Sequence, residues 1–252
     1  MARPIARYGW IPDLPDFRDL KFSAPQKVGD LPERVDLRDQ CPPIYDQGQL
    51  GSCTANAIGA MLQFDQKKQK EQDFQPSRLF IYYGERETEG TIDSDSGAMI
   101  RDGIKVVNRL GAPPEDDWPY DTTKFAEKPP QKAYDDAQMH QSLQYSAIPQ
   151  DVDQMKACIA SGLPFVFGFR VYESFESTAV ADTGRTPMPD PGEKALGGHA
   201  VMCVGYNERI DRFIVRNSWG TGWGREGYFT LPYKYLLDPG LASDFWSIQL
   251  VE

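Results

Sequence analysis

The apolar residues of this chain change their period partway along it, and that change limits the fold more than any other feature. Up to about residue 161 they recur at helical spacing, and from residue 163 they fall into strand patterns. Ala57, Ile58, Met61 and Leu62 mark a helix over 53–68, with Asn56, Gln63 and Gln66 between them. Ser52 is its expected N-cap, and Gly48 and Gly51 supply the turn before it. Ile100, Ile104, Val107 and Leu110 mark a second helix over 97–110, stopped by Gly111 and Pro113-Pro114. A third fits 152–161, ended by Gly162 and Pro164. Strands are then expected at 163–171, 199–206, 213–217 and 227–231, with one more near 245–250. Residues 173–198 read as a long loop, with Pro187, Pro189, Pro191 and several glycines. Helices first and strands later predict an α+β chain of two packed halves.

The N-terminus obeys neither period. Pro4, Pro12, Pro15, Pro25 and Pro32 interrupt any regular element, and Tyr8, Trp10, Phe17 and Phe22 lie between them. Residues 1–32 are therefore expected as an extended segment docked through its aromatics, and residues 33–252 as one domain. Lys and Arg number 27 against 37 Asp and Glu, a net charge of −10. That balance argues against nucleic acid and anionic membrane as partners, since both select basic patches. No apolar run approaches the roughly 20 residues of a membrane span. Met1–Tyr8 lacks the apolar core of a signal peptide, so the chain is expected to stay where it is made or to have lost a leader. The cellular address stays open.

Four cysteines and two histidines bound the chemistry. Cys41, Cys53, Cys158 and Cys203 are far apart, without a C-x-x-C pair, and the histidines form no H-x-x-x-H. No metal, cofactor or disulfide framework is expected from such spacing. Cys53 follows Gly51-Ser52 and opens a predicted helix, where the helix dipole favours a thiolate. Taken alone it reads instead as a small apolar residue starting a helix. His199 opens the strand Ala200-Val201-Met202-Cys203-Val204, and alone reads as a hydrogen-bonded structural histidine. A turn at 207–211 places Asn217 opposite Val201, two residues along the same face from His199. Such diagonal neighbours lie roughly 7–8 Å apart, within reach of a side-chain hydrogen bond. Gln47 precedes Cys53 by six residues and can donate its amide into a site at the helix start, although a lone loop glutamine is ordinarily solvated. His140 reads as solvated. Asp93-x-Asp95-x-Gly97 suggests a calcium loop, but Gly97 falls one position early and Ile104 stands where the bidentate acid belongs.

Together Cys53, His199 and Asn217 occur in the order nucleophile, base, orienter, with Cys53 and His199 146 residues apart. Gln47-Gly48-Gln49-Leu50-Gly51-Ser52-Cys53, Gly198-His199-Ala200-Val201 and Asn217-Ser218-Trp219-Gly220-Thr221-Gly222-Trp223-Gly224 resemble the three active-site segments of the papain-like (C1) cysteine peptidases. Leu31-Pro32-Glu33-Arg34-Val35-Asp36-Leu37-Arg38 resembles the start of a mature enzyme of that family. The likeness covers about residues 31–231. Leu50 stands where the family usually carries a disulfide cysteine, Thr54 replaces the aromatic after the nucleophile, and Asp93–Gly97 replaces a Cys-rich Gly-Gly segment. With Cys53 free, the other three cysteines allow at most one bridge. These departures point to a divergent microbial branch.

The resemblance implies a two-subdomain papain-like fold, an N-terminal helical half and a C-terminal antiparallel β half with the cleft between them. It implies an endopeptidase acting on protein or peptide substrates through a thioester acyl-enzyme. Cys53 is then the nucleophile, His199 the base, Asn217 its orienter and Gln47 an oxyanion donor. Trp219 would shield the His199–Asn217 bond, and Gly97, Gly198 and Trp219 would contact substrate. Residues 1–32 become a candidate short prosegment that inhibits its own cleft. An acyltransferase or transpeptidase on the same residues, a non-catalytic peptide-binding relative and a metal-binding structural protein are the competing readings.

Overall fold

Helix α1 (Cys53–Gln69) is buried on all sides from Cys53 to Gln66, although its apolar residues would cover only one face. Its polar residues find partners inside the protein, as buried polar groups must. Asn56 Nδ2 donates to Ser52 O (2.9 Å), Tyr45 OH donates to Gln63 Oε1 (2.5 Å), and Gln63 Nε2 donates to Asp73 (2.9 Å). Asp65 and Gln66 are exceptions: neither Asp65 carboxylate oxygen nor Gln66 Oε1 has a hydrogen-bond partner, and burial pushes the Asp65 pKa up to about 8. Ser52 holds the N-cap place without capping, because its hydroxyl is hydrogen-bonded to Tyr120 OH instead.

In this computed structural model, which describes residues 8–23 and 31–251, α1 is the central helix. It packs against α2 (Arg78–Glu89) and α3 (Ile100–Arg109), with α4 (Gln131–Ala137) further along the chain. The other half is a seven-stranded antiparallel sheet. Its strands are β1 (Arg34–Asp36), β2 (Ser142–Ala147), β3 (Phe165–Tyr172), β4 (Ala195–Asn207), β5 (Arg212–Arg216), β6 (Tyr228–Pro232) and β7 (Ala242–Val251). They run in the order β2-β7-β3-β4-β5-β6, with β1 paired to β4. Helices α5 (Val152–Ala160), α6 (Thr178–Thr183) and α7 (Tyr233–Leu237) accompany it. This is the expected α+β arrangement of two halves.

The expected helices at 53–68, 97–110 and 152–161 and all five strands are present, with ends moved by a few residues. The α2, α4 and β2 elements were not expected, and the loop at 173–198 carries α6 and the start of β4. The β4–β5 register matches the expectation beside the site. Met202 pairs with Arg216 and Cys203 with Val215, and a bulge follows between Cys203 and Gly205.

Over residues 8–23 the N-terminal segment forms no helix, and its aromatics are used unequally. Trp10 and Phe22 are buried and Tyr8 is half-buried, whereas Phe17 is 98% exposed. Pro4 and Pro25 lie outside the described residues. All four cysteines are free thiols. His140 is half-buried rather than solvated, edge-on to Phe74 with ring centroids 4.5 Å apart.

Candidate active site

Cys53 is the first residue of α1, and its side chain is fully buried where that helix meets β4. The N–H of Ala200, the residue after His199, donates to Cys53 Sγ at 3.4 Å. On β4, His199 Nε2–H donates to Asn217 Oδ1 (2.8 Å), which also accepts from Ser218 N (2.9 Å). That bond commits one ring nitrogen and turns Nδ1 to the other edge of the imidazole. Trp219 is buried and stacks on the His199 ring, centroids 4.9 Å apart and 28° between planes. Phe175 and Trp223 pack edge-on and tilted against Trp219 and each other. The His199–Asn217 bond thus lies in an aromatic enclosure with little water to compete for it.

Gln47 sits on a loop paired backbone-to-backbone with the Asn217 loop. Gln47 N donates to Ser218 O (2.9 Å) and Gly220 N to Tyr45 O (3.0 Å). Ser218 Oγ donates to Gln47 Oε1 (2.7 Å), and Gln47 Nε2 donates to Leu50 O (3.0 Å). The amide is therefore held in one orientation, with its second N–H left to point elsewhere. Behind this loop Arg78 forms a bidentate ion pair with Glu115 (2.7 and 2.8 Å) and donates to Asp46 O and Asn56 Oδ1. Its guanidinium lies over the Tyr120 ring, 3.9 Å from the centroid.

The N-terminal segment crosses this constellation. Gly9 N–H donates towards the Cys53 sulfur. Ala98 N donates to Gly9 O (2.7 Å), Ile11 N to Ala98 O (3.0 Å) and Trp10 N to Gly198 O (2.9 Å). The approach is so close that a Cβ on Gly9 would lie 1.7 Å from Gly51 O, so only glycine fits there. The Trp10 ring fills the space left by Gly168 and Gly198, where added Cβ atoms would come within 1.9 and 2.5 Å of it. Trp10 Nε1 and Asp13 N both donate to Asp244 Oδ2 (2.9 and 2.8 Å), and Trp246 Nε1 donates to Asp13 Oδ2 (3.0 Å). The Tyr8 ring meets His199 edge-on at 6.0 Å.

This cover reverses one expectation. The helix start argues for a lowered Cys53 pKa, but burial pushes the thiol up to about 12, against the pull of N–H groups from Ala200, Gly9 and Thr54. The buried carboxyl of Glu85, which accepts from Thr54 Oγ1 at 2.8 Å, adds to the rise. A neutral thiol is what burial of the sulfur favours.

The structure therefore brings Cys53, His199, Asn217 and Gln47 into one site. Gly97 and Gly198 line the channel that holds Gly9 and Trp10, while Trp219 serves as the plate under His199. Ser218, Arg78, Glu115, Tyr120 and Asp95 were not singled out for the site. Of these, Ser218 had a signal in the sequence, its place beside Asn217, and Asp95 had one in the Asp93-x-Asp95-x-Gly97 run, there weighed as a calcium loop and as the replacement of the family's Gly-Gly segment. Among the described residues, no three His, Cys, Asp or Glu side chains are grouped for a metal ion.

Residues 31–243 match the family model described as papain family cysteine protease. A peptidase C1-like protein of Acanthamoeba polyphaga mimivirus is 45% identical, over 97% of this chain and 87% of its own length. The crystal structure of xylellain, a cysteine protease from Xylella fastidiosa, superposes with a TM-score of 0.91 at 45% identity, covering 100% of this chain and 99% of that one. Digestive procathepsin L 3 of Tenebrio molitor shares the fold at 18% identity, with a TM-score of 0.72 over 92% of this chain and 75% of its own.

Proposed function

Since the chain belongs to the papain family of cysteine proteases, we propose that it is an endopeptidase working through Cys53, His199, Asn217 and Gln47, and that residues 8–13 hold it closed until they are displaced. The observation that carries this reading is the His199–Asn217 hydrogen bond on the strand whose next N–H contacts the Cys53 sulfur.

With the cleft open, water and substrate replace the Gly9 cover and the Cys53 proton passes to His199, giving a thiolate–imidazolium pair. The thiolate attacks the peptide carbonyl carbon. The C=O π electrons move to oxygen, where Gln47 Nε2–H and Cys53 N–H receive the oxyanion. Losing one such donor costs about 100- to 1000-fold in rate. Collapse expels the amine, which takes the proton from His199, and leaves a thioester on Cys53. Water then attacks the thioester, giving its proton to His199, and release of the acid restores the thiol. Asn217 keeps Nε2 occupied throughout, so the proton exchange runs through Nδ1. No metal takes part.

In the closed chain Gly9 packs against Gly51 O beside the nucleophile, which supports a segment that covers the site. Gly97 and Gly198 would then serve substrate as they serve the segment. The test is hydrolysis of a peptide amide by full-length Trp10→Ala, chosen because Trp10 anchors the segment outside the catalytic set. Turnover above the wild-type level, abolished by adding Cys53→Ala, is expected. Turnover that survives Cys53→Ala would overturn the nucleophile, and equal activity of wild type and Trp10→Ala would overturn the closure. An acyltransferase would instead yield amide products when a second amine is added.

A further inference from the structure

Asp95 belongs to the Asp93-x-Asp95-x-Gly97 run, and its carboxylate is turned inward. Gly51 N donates to both of its oxygens (3.0 and 3.2 Å), and Tyr82 OH donates to Oδ1 (2.5 Å). The same Tyr82 hydroxyl accepts from Gly97 N (3.1 Å). Tyr82 is itself fixed from behind: the buried Arg86 guanidinium lies 4.0 Å from its ring centroid and donates to Ile92 O (2.7 Å) and Ser94 O (3.3 Å). Loop 92–97 is thus fastened to α2 at both ends.

The two backbones joined by Asp95 are the two that an extended chain touches. Gly51 leads into Ser52 and Cys53, and its carbonyl abuts Gly9. Gly97 leads into Ala98, whose N–H and C=O are the groups that pair with the segment. Charged acceptors hold backbone N–H groups roughly twice as strongly as neutral ones. All four cysteines are free thiols, so no disulfide ties these loops together.

We propose that Asp95 is a positioning residue: its carboxylate, braced by Tyr82, sets the nucleophile loop at Gly51 against the chain-pairing edge at Gly97–Ala98. The proposal rests on the peptidase reading for its catalytic consequence and on geometry alone for the clamp. Losing the clamp leaves the thiol in place but lets the peptide's pairing edge drift relative to it. A misplacement of about 1 Å costs on the order of 100-fold in such chemistry.

The test uses full-length Trp10→Ala as the parent, with Asp95→Ala, Asp95→Asn and Tyr82→Phe added singly. Asp95→Ala is expected to lower peptide kcat/KM about 10- to 100-fold, with KM raised as well as kcat lowered. Asp95→Asn keeps an oxygen acceptor for Gly51 N and should recover to within about 3-fold of the parent. Reaction of Cys53 with a small aromatic disulfide, read by peptide mass, should stay within about 3-fold in every variant, because it does not use the pairing edge. Amide hydrogen exchange at Gly51 and Gly97 should accelerate about 10-fold or more in Asp95→Ala, with the α2 core amides unchanged. Unchanged exchange at both glycines overturns the clamp whether or not the parent cleaves peptides. Unchanged kcat/KM, or equal slowing of the small reagent and the peptide, overturns its role in positioning. A parent without peptidase activity would count against the function and leave the exchange result to decide the clamp.

Discussion

On the helical wall of the cleft, Cys53 and Gln47 are held by buried hydrogen bonds and charge. On the β wall, His199 and Asn217 are held by packed rings. Arg78, Glu115, Ser218 and Tyr120 make the first support, each through directional bonds from a half-buried or buried side chain. Trp219, Phe175, Trp223, Phe169 and Phe229 make the second, a continuous set of ring contacts with centroids 4.9 to 6.0 Å apart. The difference follows from the chemistry each wall must perform. A donor for an oxyanion has to point in one direction, which hydrogen bonds enforce. An imidazole that gains and loses a proton needs a dry, uniform enclosure around its one fixed bond, which rings supply without competing for the proton.

That contrast breaks most visibly in activity. In the Trp10→Ala chain, His199→Ala should lower kcat/KM by about 10⁴-fold, the upper end of the general acid–base range, because the same ring also takes the thiol proton. Gln47→Ala should lower kcat by about 10²- to 10³-fold, the value of one oxyanion donor. Equal losses, or a larger loss at Gln47, would contradict the division of labour.

Stability sharpens it next. Arg78→Ala leaves Glu115 without its partner and removes the bonds to Asp46 and Asn56, so urea unfolding should show a loss of about 3–5 kcal/mol. Trp219→Phe keeps a ring on the β wall and should cost about 1–2 kcal/mol. A helical wall indifferent to Arg78 would mean that packing, not charge, supports it.

An effect of about the size expected at Trp219 lies deeper in α1. Burial raises the folded-state pKa of Asp65 to about 8, well above its unfolded value. The folded chain then keeps a proton that the unfolded chain has released, so stability falls as pH rises from the usual carboxylate range through about 8. Asp65→Asn should raise stability at pH 8 by about 1–3 kcal/mol and flatten the pH dependence between 5 and 8. Calorimetry at the two pH values checks the sign.

The β wall was far more legible in the sequence than the helical wall. Its strands alternate cleanly, and the turn at 207–211 alone set Asn217 opposite Val201. Beside the turn the true pairs, Asn207 with Arg212 and Gly205 with Ile214, run one residue out of that count, and the bulge between Cys203 and Gly205 restores it at Met202 and Arg216. Helix α2 was invisible for a physical reason. Leu79, Phe80, Ile81, Tyr82 and Tyr83 run consecutively, so no helical period shows, and Gly84 follows as a false stop. That glycine is there because Val106 of α3 would lie 2.7 Å from any Cβ. With α2 unseen, Arg78, Tyr82 and Arg86 had no frame, and neither did Glu115 and Asp95 that they bind. The four named site residues were legible because each sits inside a short run whose neighbours are also constrained. The depth of the Trp10 anchor was not, because it depends on Gly168 of β3 and Gly198 of β4 lying as diagonal neighbours, with Gly168 paired to Ala200 and Gly198 to Arg170.

The central claim is a nucleophilic Cys53 in a peptide-accepting cleft covered by residues 8–13. Intact mass after treatment with a peptidyl epoxide tests it most directly, on wild type, Trp10→Ala and Trp10→Ala with Cys53→Ala, all full length. The account predicts one adduct that forms slowly on wild type, quickly on Trp10→Ala and not at all once Cys53 is gone. An adduct that persists without Cys53, or equal rates on the first two chains, would contradict it.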